Sequence, residues 1–211
     1  WVSDYLGPIL KKNYPSIKIL GFDNNKEHLW NWAQVLFDKK VSPKSNKYFD
    51  GIAFHWYSSS NHRLLDGTYG YNNINKTFHY TTNQNENKIL LNTEGCSCPG
   101  VRINDWNRAE ILAHDIIFDI KNYAQGWIDW NLIVDSNGGY NHLGNECDAS
   151  IITNKNFTDI IIQPKFFYMG HISKYIPPNS KRISSDITGN YHYNINIDAN
   201  VRKGYEMSTF P

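Results

Sequence analysis

Lys88-Ile89-Leu90-Leu91-Asn92-Thr93-Glu94 is a short apolar run that opens on a cation and closes on a carboxylate. A run of this length, bounded by polar residues, reads as a strand buried on both faces. Similar stretches lie on either side of it. Residues 17–22, 51–57 and 126–132 are also strand candidates, so strands begin near 17, 51, 88 and 126 at nearly even intervals. Helical spacing fills much of the chain between them. Residues 4–12 read as the tail of an amphipathic helix. Residues 27–37 place Leu29, Trp32, Ala33, Leu36 and Phe37 on one face, and a short helix is predicted near 74–80. A longer one is predicted over 105–123, with Ile111, Leu112, Asp115, Ile116 and Ile120 in register, and a last one over 164–175 opens on Pro164.

Apolar strands alternating with helices predict a parallel α/β sheet. Four such βα units amount to half of a (β/α)8 barrel. A small doubly wound domain is the alternative, but no glycine-rich phosphate turn follows any of the strands. Past Pro177-Pro178 the pattern changes. Residues 182–187 and 191–198 alternate around Gly189-Asn190, a hairpin signal. Two strands alone are marginal in water, so they predict the start of a β-domain. The expected division is therefore a barrel segment over 1–176 and partial β-domain strands over 177–211.

The net charge of +1 gives no electrostatic case for nucleic acid or for an anionic surface. Aromatic residues reach 15%, with seven Trp. Flat rings suit the apolar faces of sugars, although any single ring is more readily explained by core packing. Of the three cysteines, Cys96 and Cys98 lie two apart with no second pair and no His at ligand spacing, so no metal site is expected. Cys96 also lacks the His or Asn arrangement of a thiol nucleophile. Two sequons are present, Asn75-Lys76-Thr77 and Asn156-Phe157-Thr158. No apolar run approaches membrane-spanning length, and the chain opens on Trp1 rather than Met.

In a βα barrel the working residues sit at the C-terminal ends of strands. Here those ends read Asp23-Asn24-Asn25, His55-Trp56-Tyr57, Asn92-Thr93-Glu94 and Asp129-Trp130-Asn131. Glu94 is the sharpest candidate, because a retaining glycosidase needs a strand-end carboxylate to attack the anomeric carbon. A glutamate there could equally cap a loop, and residue type alone does not separate the two roles. Tyr57 is placed to donate a hydrogen bond to that carboxylate, and His55 shares its strand face. Alternation puts Trp127, Asp129 and Asn131 on one face of the fourth strand and Trp130 on the other, with Asp129 suited to hold an Arg or a ring in place. Asn145 and Asp148 follow in a Gly-rich loop, where polar residues are normally solvated.

Four blocks then carry a specific resemblance: Phe54-His55-Trp56-Tyr57, Asn92-Thr93-Glu94-Gly95-Cys96, Gly126-Trp127-Ile128-Asp129-Trp130-Asn131 and the run 163–174 from Gln163 to Lys174. In order and spacing they resemble the glucosylceramidases of family 30 of the glycoside hydrolases. The resemblance runs over roughly residues 4–183. It implies a (β/α)8 barrel with an attached β-sandwich, and cleavage of the β-glucosyl bond of glucosylceramide with retention. It makes Glu94 the nucleophile, Tyr57 its neighbour, Trp130 and Asn145 contacts to the glucosyl unit, and His55, Asp129 and Trp127 supporting residues. Asn25 stands where the family has a glutamine near the cleft.

Counting the strands as five to eight of the barrel, the resemblance puts the acid/base Glu upstream of Trp1. The chain is thus expected to be a fragment that does not catalyse alone. A β-1,6-glucanase or another β-glycosidase of the family, and a truncated glycolipid-binding protein without catalysis, are the alternatives. The resemblance also implies a lysosomal or secreted location, with an activator protein and an anionic membrane surface as partners. No cofactor is implied.

Overall fold

The structure, a computed structural model, describes residues 1–58, 70–139, 144, 146–184, 194–197 and 200–203. Its backbone divides into two compact units, Trp1–Glu94 with Asn122–Ile128, and Gly95–Lys121 with Asp129–Pro211.

The first unit is built on a parallel ladder. α1 (Gly7–Asn13) leads to β1 (Leu20–Asn25), α2 (Leu29–Phe37), β2 (Gly51–His55), α3 (Tyr71–Thr82) and β3 (Ile89–Gly95). After α4 (Trp106–Lys121) comes β4 (Trp127–Asp129), and the sheet order is β1-β2-β3-β4. Sequence order equals spatial order, with β1 to β2 and β2 to β3 parallel, as successive βα units of a barrel require. Ile52, Phe54 and Leu90 are fully buried, as are Leu29, Ala33 and Phe37 of α2 and Ile74 of α3. Each large apolar side chain so buried contributes about 1.5–3 kcal/mol. β2 and β3 approach closely at Gly51, where any side-chain carbon would run into the Ile89 carbonyl. The glycine is therefore a packing requirement of this strand pair.

Two expected strands shift, for identifiable reasons. The first is 20–25 rather than 17–22, because side chains hold the backbone of 17–19: Asp50 accepts the Ile19 N–H (2.8 Å) and Lys11 donates to the Ile17 carbonyl (3.4 Å). The fourth stops at Asp129: the Trp130 N–H makes a last bond to the Gly95 carbonyl at the end of β3 (2.9 Å), and the backbone is then taken up by another segment, the Leu132 carbonyl accepting from the Ile151 N–H (3.1 Å).

In the second unit, β5 (Ile133–Val134) pairs in parallel with β6 (Ile151–Thr153), which pairs antiparallel with β7 (Ile160–Ile162). Val134, Ala149 and Ile152 form its buried apolar cluster, with Val101 against it. α4 packs with α5 (Pro164–Tyr175), where the Trp106 and Tyr168 rings meet edge to face at 6.2 Å. β8 (Asn194–Ile197) and β9 (Asn200–Lys203) form an antiparallel pair, with Ile197 opposite Asn200. The second expected hairpin strand thus pairs with the segment after it. The expected turn at Gly189-Asn190 lies outside the described residues. No helix among the described residues is long and apolar enough to cross a membrane.

Candidate active site

Regular pairing would alternate side chains across the sheet, yet the ends of β1 and β3 break the ladder. On β1, Phe22 pairs with Ala53 and Asn24 with Phe54, leaving Asp23 as an extra residue. On β3, Asn92 pairs with Phe54 and Glu94 with His55, leaving Thr93 as the extra one. Both are β-bulges, which re-aim side chains at strand ends. The first is strained: Phe22 and Asp23 hold positive φ of 79° and 56°, a conformation that disfavours a bulky L-residue.

The two bulge residues meet. Thr93 Oγ1 donates to Asp23 Oδ1 at 2.6 Å, and the same oxygen lies 3.1 Å from His55 Nε2. His55 Nε2 is also 3.7 Å from Glu94 Oε2, so one imidazole stands between two carboxylates. On the other side of Glu94, the Tyr57 hydroxyl donates to Oε1 at 2.9 Å. The Glu94 backbone is held too: its N–H donates to Oδ1 of the fully buried Asn92 (3.3 Å), and its carbonyl accepts from the Trp56 N–H (2.9 Å). Glu94 is therefore a carboxylate in a set rotamer, with a side chain 22% exposed and reachable from solvent. Trp56 meets Trp127 edge to face at 5.9 Å and Tyr57 at 6.2 Å, an aromatic wall along this strand end. Asn25, opposite His55 in the ladder, closes β1 half-buried.

A carboxylate so placed can attack an electrophilic carbon. Asp23 Oδ1 is already an acceptor from Thr93 and faces His55. Asp23 and Thr93 were not singled out from sequence. The hint available was Asp23 at a strand end, and nothing local announces a bulge.

The second unit holds the remaining candidates. Asp129 meets Lys165, with Nζ 2.8 Å from Oδ1, and Ser150 lies at 3.5 Å from Oδ2. The expected Arg or ring partner is thus a lysine from α5, a residue whose pairing depends on helix docking. Burial pushes the Asp129 carboxyl above its ordinary value, against the pull of Lys165. Trp130 is exposed at 58%. Asn145 lies outside the described residues.

Asp148 corrects the expectation of a solvated loop residue, since it is 4% exposed. Arg108 donates to its Oδ2 (2.8 Å) and to the carbonyls of Gly100 (2.6 Å) and Pro99 (2.7 Å). Gln163 Nε2 and the Ala149 N–H donate to Oδ1 (3.2 and 2.9 Å). Nearby, Cys98 and Cys147 form a disulfide across 49 residues, and Cys96 keeps its thiol, buried, 3.2 Å from the Cys98 sulfur. The three sulfurs lie within 4.8 Å of one another. With two of them oxidised to a disulfide, this cluster does not offer a thiolate metal site.

Residues 1–176 match the Glycosyl hydrolase family 30 TIM-barrel domain. A Caenorhabditis elegans protein named "Putative glucosylceramidase 3" is 36% identical over 90% of this chain and 35% of its own length. The mouse protein named "Lysosomal acid glucosylceramidase" is 31% identical over 87% of this chain and 34% of its length. The crystal structure of SrfJ from Salmonella typhimurium superposes with a TM-score of 0.75 at 26% identity, over 92% of this chain and 40% of that one. The chain spans about a third of the length of the curated relatives it matches. On the four-stranded parallel sheet and the family match over residues 1–176, the chain belongs to family 30 of the glycoside hydrolases, within its TIM-barrel domain.

Proposed function

We propose that this chain carries the nucleophile side of a retaining β-glucosidase acting on glucosylceramide. The supporting observation is the Tyr57 to Glu94 hydrogen bond of 2.9 Å at the C-terminal end of β3, in a parallel sheet of the family's barrel type. In this reading Glu94 attacks the anomeric carbon and forms a glycosyl ester. A second carboxylate, roughly 5–5.5 Å away, protonates the leaving oxygen and then activates water. In this reading the second carboxylate is supplied from outside residues 1–211.

His55 and Tyr57 position Glu94, Trp130 contacts the sugar, and Trp127 and Asp129 support the fourth strand end. Asn145 and Asn25 contact substrate or its lipid portion. Residues 1–176 form the barrel segment and 177–211 begin a β-domain. A lysosomal or secreted location fits the Cys98–Cys147 disulfide, since such bonds persist in oxidising compartments. An activator protein and an anionic membrane surface would be the partners of a lipid-directed enzyme.

The test is to label the N-terminally extended protein with a 2-fluoro β-glucoside and map the adduct by mass spectrometry, alongside turnover of a fluorogenic β-glucoside and glucosylceramide. The expected adduct is an ester on Glu94, with turnover at background in Glu94→Gln. An adduct on another carboxylate overturns the assignment. Preference for a β-1,6-linked glucan over glucosylceramide would keep the chemistry and replace the substrate.

A further inference from the structure

Two sequons were legible in the chain, and the fold treats them oppositely. Asn75-Lys76-Thr77 lies inside α3, where Thr77 is fully buried and Asn75 half-buried. Asn156-Phe157-Thr158 lies on the turn joining β6 to β7, with all three residues exposed. We propose that Asn156 is an N-glycosylation site of this protein and that Asn75 is not.

The turn is braced from inside by a different asparagine. The Phe157 N–H donates to the Asn154 carbonyl (3.1 Å), and the Asn154 N–H to the Asp159 carbonyl (3.1 Å). The Asn154 side chain accepts the Thr158 N–H (3.0 Å) and donates to Thr158 Oγ1 (2.9 Å) and Asp159 Oδ2 (3.2 Å). Asn154 therefore holds the loop shut, while Asn156 stands at its tip, where a large hydrophilic branch leaves the surface without displacing packed groups. Phe157 follows at φ +56° with 72% of its surface in water. A sugar attached one residue earlier would cover that ring through its apolar face.

The disulfide is the second, independent observation. A disulfide such as Cys98–Cys147 forms and persists in oxidising compartments, and Asn-linked transfer takes place in one of them. In the transfer, the Asn156 amide nitrogen forms a bond to the anomeric carbon of a lipid-pyrophosphate-linked oligosaccharide. The bond from that carbon to the pyrophosphate oxygen breaks, the lipid pyrophosphate leaves with the electron pair, and the amide loses one proton.

The experiment is expression of the full chain, behind a cleavable signal peptide, in a eukaryotic secretory host. It is followed by enzymatic release of N-glycans in heavy-oxygen water and peptide mapping. The expected result is isotopically labelled Asp at 156 and unmodified Asn at 75. One mobility step should be lost in Asn156→Gln and retained in Asn75→Gln. Thr158→Ser keeps both sequon and turn, so a retained step there, beside its loss in Asn156→Gln, separates glycan loss from misfolding. Label at 75 instead of 156, or no releasable glycan on secreted protein, overturns the proposal. None of these readouts depends on glycosidase activity.

Discussion

Two polar clusters, each centred on a carboxylate, behave oppositely. Around Asp148, a carboxylate is enclosed by an arginine, a glutamine and two backbone N–H groups, and both it and Arg108 are almost wholly buried. Around Glu94, the carboxylate is held by a tyrosine and faced by a histidine, but it stays open to water, and Asp23 beyond His55 is 63% exposed. The closed cluster has nothing left to offer a ligand, because its hydrogen-bonding capacity is consumed within the fold. The open cluster sets the direction of a carboxylate and leaves it accessible. Enclosure separates the structural carboxylate from the candidate reactive one.

The sharpest way to break this contrast is Arg108→Met. It leaves Asp148 buried without its cation and removes two carbonyl contacts, so stability should fall by about 3–5 kcal/mol in urea unfolding. A loss below about 1 kcal/mol would place the closed cluster in the same class as a surface pair. Reducing Cys98–Cys147, or introducing Cys147→Ser, should cost about 2–4 kcal/mol, read as a lower denaturant midpoint. In the open cluster the effect moves from stability to rate. Tyr57→Phe removes one hydrogen bond to a charged group, about 1.5–3 kcal/mol. In the catalytically complete protein that is roughly a ten- to hundredfold lower kcat, with the unfolding midpoint little changed. Asp23→Asn should cost less than about 1 kcal/mol of stability, since the pair it forms with His55 is largely exposed on the Asp23 side.

The smallest effects are in pH dependence, and two carboxylates should act with opposite sign. Asp50 is partly buried, which alone would raise its pKa. Hydrogen bonds from Lys11 and the Ile19 N–H, with the charges of Lys11 and Lys18, more than offset this and lower it. Its stabilisation is therefore present above the unfolded value of about 4 and lost as pH falls through the lowered folded value. Burial raises Asp129 in spite of Lys165. Its contribution is full below about pH 4 and lost as pH rises through the raised folded value. Asp50→Asn should flatten the acid limb of a stability–pH curve, by about 1 kcal/mol or less, and Asp129→Asn should flatten the fall above it. The same slope in both variants would contradict this assignment.

The order of strands and helices was legible because side-chain periodicity is local. Ile89-Leu90-Leu91 needs no neighbour to read as a buried strand, and Pro164 opens α5 at the predicted residue. The Tyr57 to Glu94 contact was legible for the same reason, since both sit at the ends of predicted adjacent strands. What residue order alone left open depended on partners distant in the chain. Asp23 and Thr93 are turned toward one another only because β1 and β3 each slip against β2. The cation that meets Asp129 is set by where α5 docks, and the sulfur that meets Cys98 by how the 146–150 loop is anchored on Arg108. Periodicity is a property of a few consecutive residues, whereas register and pairing are properties of two segments at once.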